Sequence, residues 1–145
     1  MTHIHKTALV PYSIDNMFNL VNDIESYPKF LPWCKQATLL SHTDTGVIAS
    51  ITMGSVALEK TFTTTNTIKP NEFIEMRLLE GPFSHLKGAW YFHPVGNEGC
   101  KISLDMHFEI SNKILRLSLG PIFTKIVNNL MDAFIQRAGE LYGQD

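Results

Sequence analysis

Cysteine is nearly missing: the 145-residue chain holds two, Cys34 and Cys100. Two residues without metal-motif spacing exclude a disulfide framework and a cysteine zinc site, and both are expected to be free, buried thiols. Charge is sparse too, with 18% Asp, Glu, Lys and Arg, a formal net charge of −2 and a pI near 6.3. That balance offers no broad positive field, so free nucleic acid is not an expected partner. No apolar run reaches the ~20 residues that a membrane-spanning helix needs. The opening MTHIHKTALVPYS has no apolar h-region and reads as a strand, so no signal peptide is expected. Internal repeats, low-complexity tracts and linkers are missing as well, and residues 1–145 are expected to form one domain. The expected setting is reduced and cytoplasmic.

What is there falls into two hydrophobic periods. His3 to Val10 reads as a strand ended by Pro11-Tyr12, and Ser13 is a good N-cap for a helix carrying Ile14, Met17, Phe18 and Val21. Asp23 caps a second short turn through Glu25 and Ser26, which should stop before Pro28. SYPKFLPWC, Ser26 to Cys34, then reads as a proline-stiffened connection carrying three aromatic rings. From there the period is that of strands: Lys35–His42, Val47–Met53, Ala57–Ile68, Phe73–Leu79, His85–Pro94 and Cys100–Ile110. SHTDTG, KPNE, EGPFS and VGNEG punctuate them, and connections this short make antiparallel hairpins. The last strand alternates cleanly, with Cys100, Ile102, Leu104, Met106, Phe108 and Ile110 on one face.

After Asn112 the period turns helical. Leu119, Phe123, Ile126, Val127, Leu130, Phe134, Ala138 and Leu141 form one stripe. Gly120-Pro121 should interrupt it, leaving a short leading turn and a helix from about Pro121 to Tyr142. A curved sheet cannot bury its apolar face alone, and that helix is the one large partner available. The expected fold is α+β: a curved antiparallel sheet wrapped around a long C-terminal helix, with two small helices after the first strand.

No P-loop, dinucleotide fingerprint or nucleophile elbow occurs, and no catalytic residue is nominated. Cys34 has no histidine placed beside it. His3 and His5 share a strand face, as do His85 and His93, but neither pair brings a carboxylate at metal-site spacing, so no metal site is expected. Asp105 and Glu109 project outward opposite His85-Leu86-Lys87 and should pair with Lys87.

The apolar inventory is more telling. Phe62, Ile74, Met76, Leu78, Trp90, Phe92, Leu104, Met106 and Phe108, if inward, meet Phe123, Val127, Leu130 and Phe134. Lys60, Thr64 and Asn66 share parity with Phe62. Buried polar groups need partners, so two readings stand: a wet or ligand-facing patch, or a strand end where Lys60 snorkels out. The VGNEG hairpin sets Trp90 opposite Leu104 and Gly88 opposite Met106, and Gly88 marks either a bend or a space left open.

Four blocks, YSIDNMFNLVNDIESYPKFLPWC, FTTTN, GPFSHLKGAWYF and MDAFIQRAGELYG, resemble the coenzyme-Q-binding protein family. Its bacterial members are also called the ribosome-association toxin family, within the START-like, helix-grip, polyketide cyclase/dehydrase superfamily. The resemblance implies a lipophilic cavity between sheet and helix, no covalent cofactor, and ubiquinone or a related isoprenoid lipid as bound ligand. On that reading the protein is a non-enzymatic carrier supporting respiratory electron transport, with a lipophilic small molecule as partner and transient contact at the inner membrane. The alternative is a toxin that binds the large ribosomal subunit and blocks subunit association, and a third reading is an enzyme of the polyketide-cyclase type. The expected ligand-binding residues are Trp33, Lys60, Phe62, Asn66, Met76, Leu78, Gly88, Trp90, Phe92, Met106, Phe108, Phe123, Val127, Leu130 and Phe134. SYPKFLPWC would roof one end of the cavity, with Phe83 near another part of the rim. Lys113, Arg116 and Lys125 form a modest cationic cluster that reads either as a solvated face or as a contact for the ribosome.

Overall fold

The computed structural model describes residues 1–54 and 58–143. Seven strands, β1 (Thr2–Val10), β2 (Cys34–Thr43), β3 (Gly46–Gly54), β4 (Glu59–Lys69), β5 (Phe73–Glu80), β6 (Phe83–Val95) and β7 (Gly99–Ile110), make one antiparallel sheet in the order β1-β7-β6-β5-β4-β3-β2. The predicted strand start at Ala57 lies outside the described residues. Between β1 and β2 come α1 (Ile14–Asn22) and a 3-10 helix (Ile24–Lys29); α2 (Lys113–Tyr142) follows β7. β2 to β7 are neighbours by hairpins, whereas β1 closes on β7 from the far end of the chain. The hairpin register is the one expected, with Trp90 opposite Leu104 and Gly88 opposite Met106.

α2 lies across the inward face, with Leu119, Phe123, Ile126, Val127, Met131, Phe134 and Ala138 buried. Each large side chain buried there contributes about 1.5–3 kcal/mol of transfer free energy. Two ring clusters do most of the gripping. Phe123 meets Phe83 and Phe108 edge-on at 4.9 and 4.7 Å, and Phe134 meets Tyr27, Phe30 and Trp90 at 5.2–5.3 Å.

Two expectations about proline are corrected. α2 does not begin at Pro121: it starts at Lys113, where the Asn112 side chain accepts hydrogen bonds from the backbone N–H groups of Ile114 (2.8 Å) and Leu115 (3.1 Å). Capping nucleates the early turns. Pro121 and Leu117, the residue whose carbonyl loses its donor, both lie on the exposed side, where water can take the vacated bond. Likewise the second short helix runs through Pro28 rather than stopping before it, because the ring's fixed φ suits a 3-10 turn. β6 also starts earlier than expected, at Phe83, with a register shift between Phe83 and His85.

Candidate site: an apolar cavity under the C-terminal helix

The sheet and α2 enclose a cavity of about 70 Å3. Its floor is the inward face of β3 to β7: Ala49, Ile51, Phe62, Thr64, Asn66, Ile74, Met76, Leu86, Gly88, Trp90 and Met106. Phe123, Ile126, Val127, Leu130 and Phe134 of α2 cover it, and Val21, Ile24, Tyr27 and Trp33 close one end. That end is the stretch SYPKFLPWC and the turn leading into it. Trp33 lines the cavity, and with Leu31, Pro32, Ile122 and Ala133 it also lines an open groove outside. Trp33 and Ile126 are therefore shared walls between the interior and solvent.

Four of the predicted site residues lie away from the cavity. Phe108 is spent against Phe123, and Phe92 turns under α1, edge-on to Phe18 at 5.4 Å. Lys60 and Leu78 are half-buried toward strand ends, Lys60 opposite Met53 and Leu78 opposite Thr64. Phe83 is not at the rim either; it is 5% exposed and packs between Phe62 and Phe123. The other predicted residues do line the cavity. Val21, Ile24, Tyr27, Ala49, Ile51, Thr64, Ile74, Leu86 and Ile126 were not in that set. Strand parity holds a signal for Ala49, Thr64, Ile74 and Leu86, and helical periodicity one for Val21 and Ile126.

The polar content of the wall is small and paired. Thr64 Oγ1 donates to Asn66 Oδ1 at 2.8 Å, with the two residues only 6% and 3% exposed. The Tyr27 hydroxyl donates to the Val21 carbonyl, and burial, then Cys34 and Asp23, hold its pKa well above the usual range. Among the described residues every buried side-chain nitrogen and oxygen has a partner. The inward polar patch is thus Thr64 with Asn66, and Lys60 stays outside it. Among the described residues no carboxylate or imidazole lines this wall. Gly88 lies opposite both Met76 and Met106, and a Cβ there would come within 2.1 Å of Met106 Sδ. The space above Gly88 is filled by thioether side chains.

The two thiols are buried and free. Burial pushes Cys34 up to about 11, opposed by a hydrogen bond with the Gln36 backbone, and it raises Cys100 as well. Since the thiolate is the reactive form, neither should react with a disulfide reagent while the protein is folded, and both should react in denaturant. Rapid labelling of the native protein at either position would contradict this placement.

On the outer face of the sheet the structure corrects a pairing. Asp105 does not pair with Lys87. It takes hydrogen bonds from His3 Nε2 at 2.6 Å, His5 Nδ1 at 3.3 Å and His107 Nε2 at 3.2 Å. The carboxylate that His3 and His5 lacked in the local sequence arrives through β1–β7 pairing. Desolvation pushes the Asp105 carboxyl up, but hydrogen bonds from His3 and His5 and the charges of His3 and His107 outweigh it and hold the group below its ordinary value.

Residues 10–135 match the family described as polyketide cyclase / dehydrase and lipid transport. Along the whole chain there is 43% identity to a ribosome association toxin RatA of Pseudomonas aeruginosa, covering 98% of this chain and 99% of that one. A protein of the same name from Escherichia coli is 42% identical over 98% of this chain and 90% of its own length. The mitochondrial coenzyme Q-binding protein COQ10 homolog B of Xenopus laevis is 24% identical, and this chain spans 59% of its length. In fold, the chain is similar to a START superfamily protein from Mycobacterium smegmatis (TM-score 0.81, 20% identity, 96% and 98% of the two chains covered). It is also similar to the Zhui aromatase/cyclase from Streptomyces (TM-score 0.78, 16% identity, 94% and 93% covered). The chain belongs to the polyketide cyclase / dehydrase and lipid transport family and, within it, to the group whose bacterial members are named ribosome association toxins.

Proposed function

We propose that this chain binds the ribosome and hinders the joining of its subunits, through its surface and without catalysing a reaction. The observation that carries this reading is the size of the interior, about 70 Å3, against the ~300–1,000 Å3 typical of ligand sites. An apolar space with no acid–base pair among the described residues of its wall gives little support to cyclase chemistry, which leaves the outer surface to act. The partner is suggested by near full-length similarity to proteins named for ribosome association.

The contact surface we assign is the start of α2. Ile114 and Leu117 are each 80% exposed there, beside Lys113, Arg116 and Lys125. On a chain of net charge −2 this local cluster would meet phosphate, so binding should weaken with salt. Sucrose-gradient sedimentation of ribosomes with added protein tests the proposal. Free subunits should accumulate at the expense of joined ribosomes, and a Lys113→Glu/Lys125→Glu protein should lose the effect. A profile unchanged by a large excess of folded protein would end this reading.

A second reading, carriage of ubiquinone or another isoprenoid lipid, is favoured by the make-up of the cavity wall. Apart from Thr64 and Asn66, which could meet quinone carbonyls, and the paired Tyr27 hydroxyl, the wall is apolar. Met76 and Met106 are adaptable gap-fillers whose rotation would enlarge the space over Gly88. Entry would pass Trp33, the wall shared with the outer groove, and the exposed Pro32 and Ile122 beside it would touch the bilayer. Mass spectrometry of lipids extracted from protein purified without detergent separates the two readings.

A further inference from the structure

We propose that His3, Asp105 and His107 form a binding site for a divalent transition-metal ion of the zinc class on the outer face of the sheet. This is independent of the ribosome reading and of the cavity. In the sheet, His3 lies directly opposite His107 and His5 directly opposite Asp105, so four side chains of β1 and β7 occupy one square of the outer surface. The ligand atoms of His3, Asp105 and His107 all lie within 4.8 Å of one another. The His3 and His107 rings are stacked at 3.9 Å with a 12° interplanar angle, which sets both Nε2 atoms side by side toward the same carboxylate.

Two imidazoles and one carboxylate are a borderline nitrogen–oxygen donor set, suited to zinc, cobalt or nickel rather than to calcium or magnesium. Metal–ligand bonds of about 2.0–2.2 Å require the three atoms to draw in around a central ion and the two stacked rings to turn out of parallel so that both nitrogens point at it. The ion replaces the protons that now link the rings to Asp105, and the fourth position stays open to water. The ligands stand on adjacent paired strands rather than on loops, so the sheet itself holds their spacing. β1 is an edge strand, which leaves the patch accessible.

His5 is a positioning residue in this arrangement. Its Nδ1 lies 3.3 Å from the Asp105 oxygen that also bonds His3, and its Nε2 lies 3.3 Å from Thr7 Oγ1. A hydroxyl can donate or accept, so Thr7 holds the ring in either tautomer, and Thr7 is in turn 3.4 Å from Ser103 Oγ. Such outer partners fix the orientation of a ligating carboxylate.

The test is isothermal titration of zinc chloride into protein carrying no polyhistidine tag, with magnesium and calcium as controls. One zinc per chain should bind, and cobalt in its place should give the visible bands of a low-coordinate site. His107→Gln and Asp105→Asn should abolish saturable binding, and His5→Ala should weaken it about tenfold as the loss of an outer partner. The altered side chains are partly exposed, and circular dichroism verifies that each variant is folded. No saturable zinc binding by the unaltered protein would overturn the site, as would binding that survives both His107→Gln and Asp105→Asn.

Discussion

Phe134→Ala should lose about 3–5 kcal/mol of stability, the range for removing a buried aromatic ring from a core. The ring is 0% exposed and is boxed edge-on by Tyr27 and Phe30 of the SYPKFLPWC stretch and by Trp90 of β6. It fastens helix, loop and sheet at one point. For a chain of this size the loss corresponds to a fall in melting temperature of roughly 6–20 °C. Urea and thermal unfolding give the number. A change under about 1 kcal/mol would show that the neighbours collapse into the gap with ease. Because Phe134 also lines the cavity, the truncated protein should gain interior volume and take up small apolar probes that the parent excludes.

Gly88→Val acts in the opposite sense, by overfilling. A Cβ at this position would stand 2.1 Å from Met106 Sδ and 3.2 Å from both Met76 Cε and the Asp105 carbonyl oxygen. The thioether ends can swing aside, whereas the carbonyl cannot, so the variant should fold with a loss of about 1–3 kcal/mol. Its functional readout divides the two proposals. If the surface of α2 acts on ribosomes, subunit separation by Gly88→Val should match that of the parent. If the interior carries lipid, the variant should purify with less of it. A folded variant that loses ribosome activity while its lipid content stays unchanged would contradict both assignments.

The parts of this fold legible in the sequence are those governed by a local period. The alternation from Cys100 to Ile110 gives the inward face of β7 without ambiguity, and with Trp90 it sets the register that seats Gly88 against Met106. The stripe from Leu119 to Ala138 marks the buried side of α2 in the same way. The same stripe leaves Pro121 and Leu117 on the exposed side, and this is why the proline is accommodated inside α2 and does not set its start. Phe83 misled because a glycine–proline pair just before it suggested a turn, while its side chain belongs to the ring cluster around Phe123. Two features were beyond local reading altogether. The volume left under α2 depends on how Met76 and Met106 pack, and the union of His3 with Asp105 spans 102 positions along the chain.

That same span sets the order in which the molecule can be completed. β1 is made first, yet among the described residues its one strand partner is β7, which ends at Ile110. The helix that covers the inward face comes later still, at Lys113–Tyr142. During synthesis the hairpins from β2 to β6 can zip from neighbour to neighbour, while β1 must wait for a loop of about a hundred residues to close. Contacts of this separation slow folding, and an apolar sheet without its covering helix is prone to associate with other chains. The closing strand and the covering helix are thus a late, joint step, and chains halted soon after Ile110 would expose Phe83 and Trp90, the sheet rings that Phe123 and Phe134 of α2 cover.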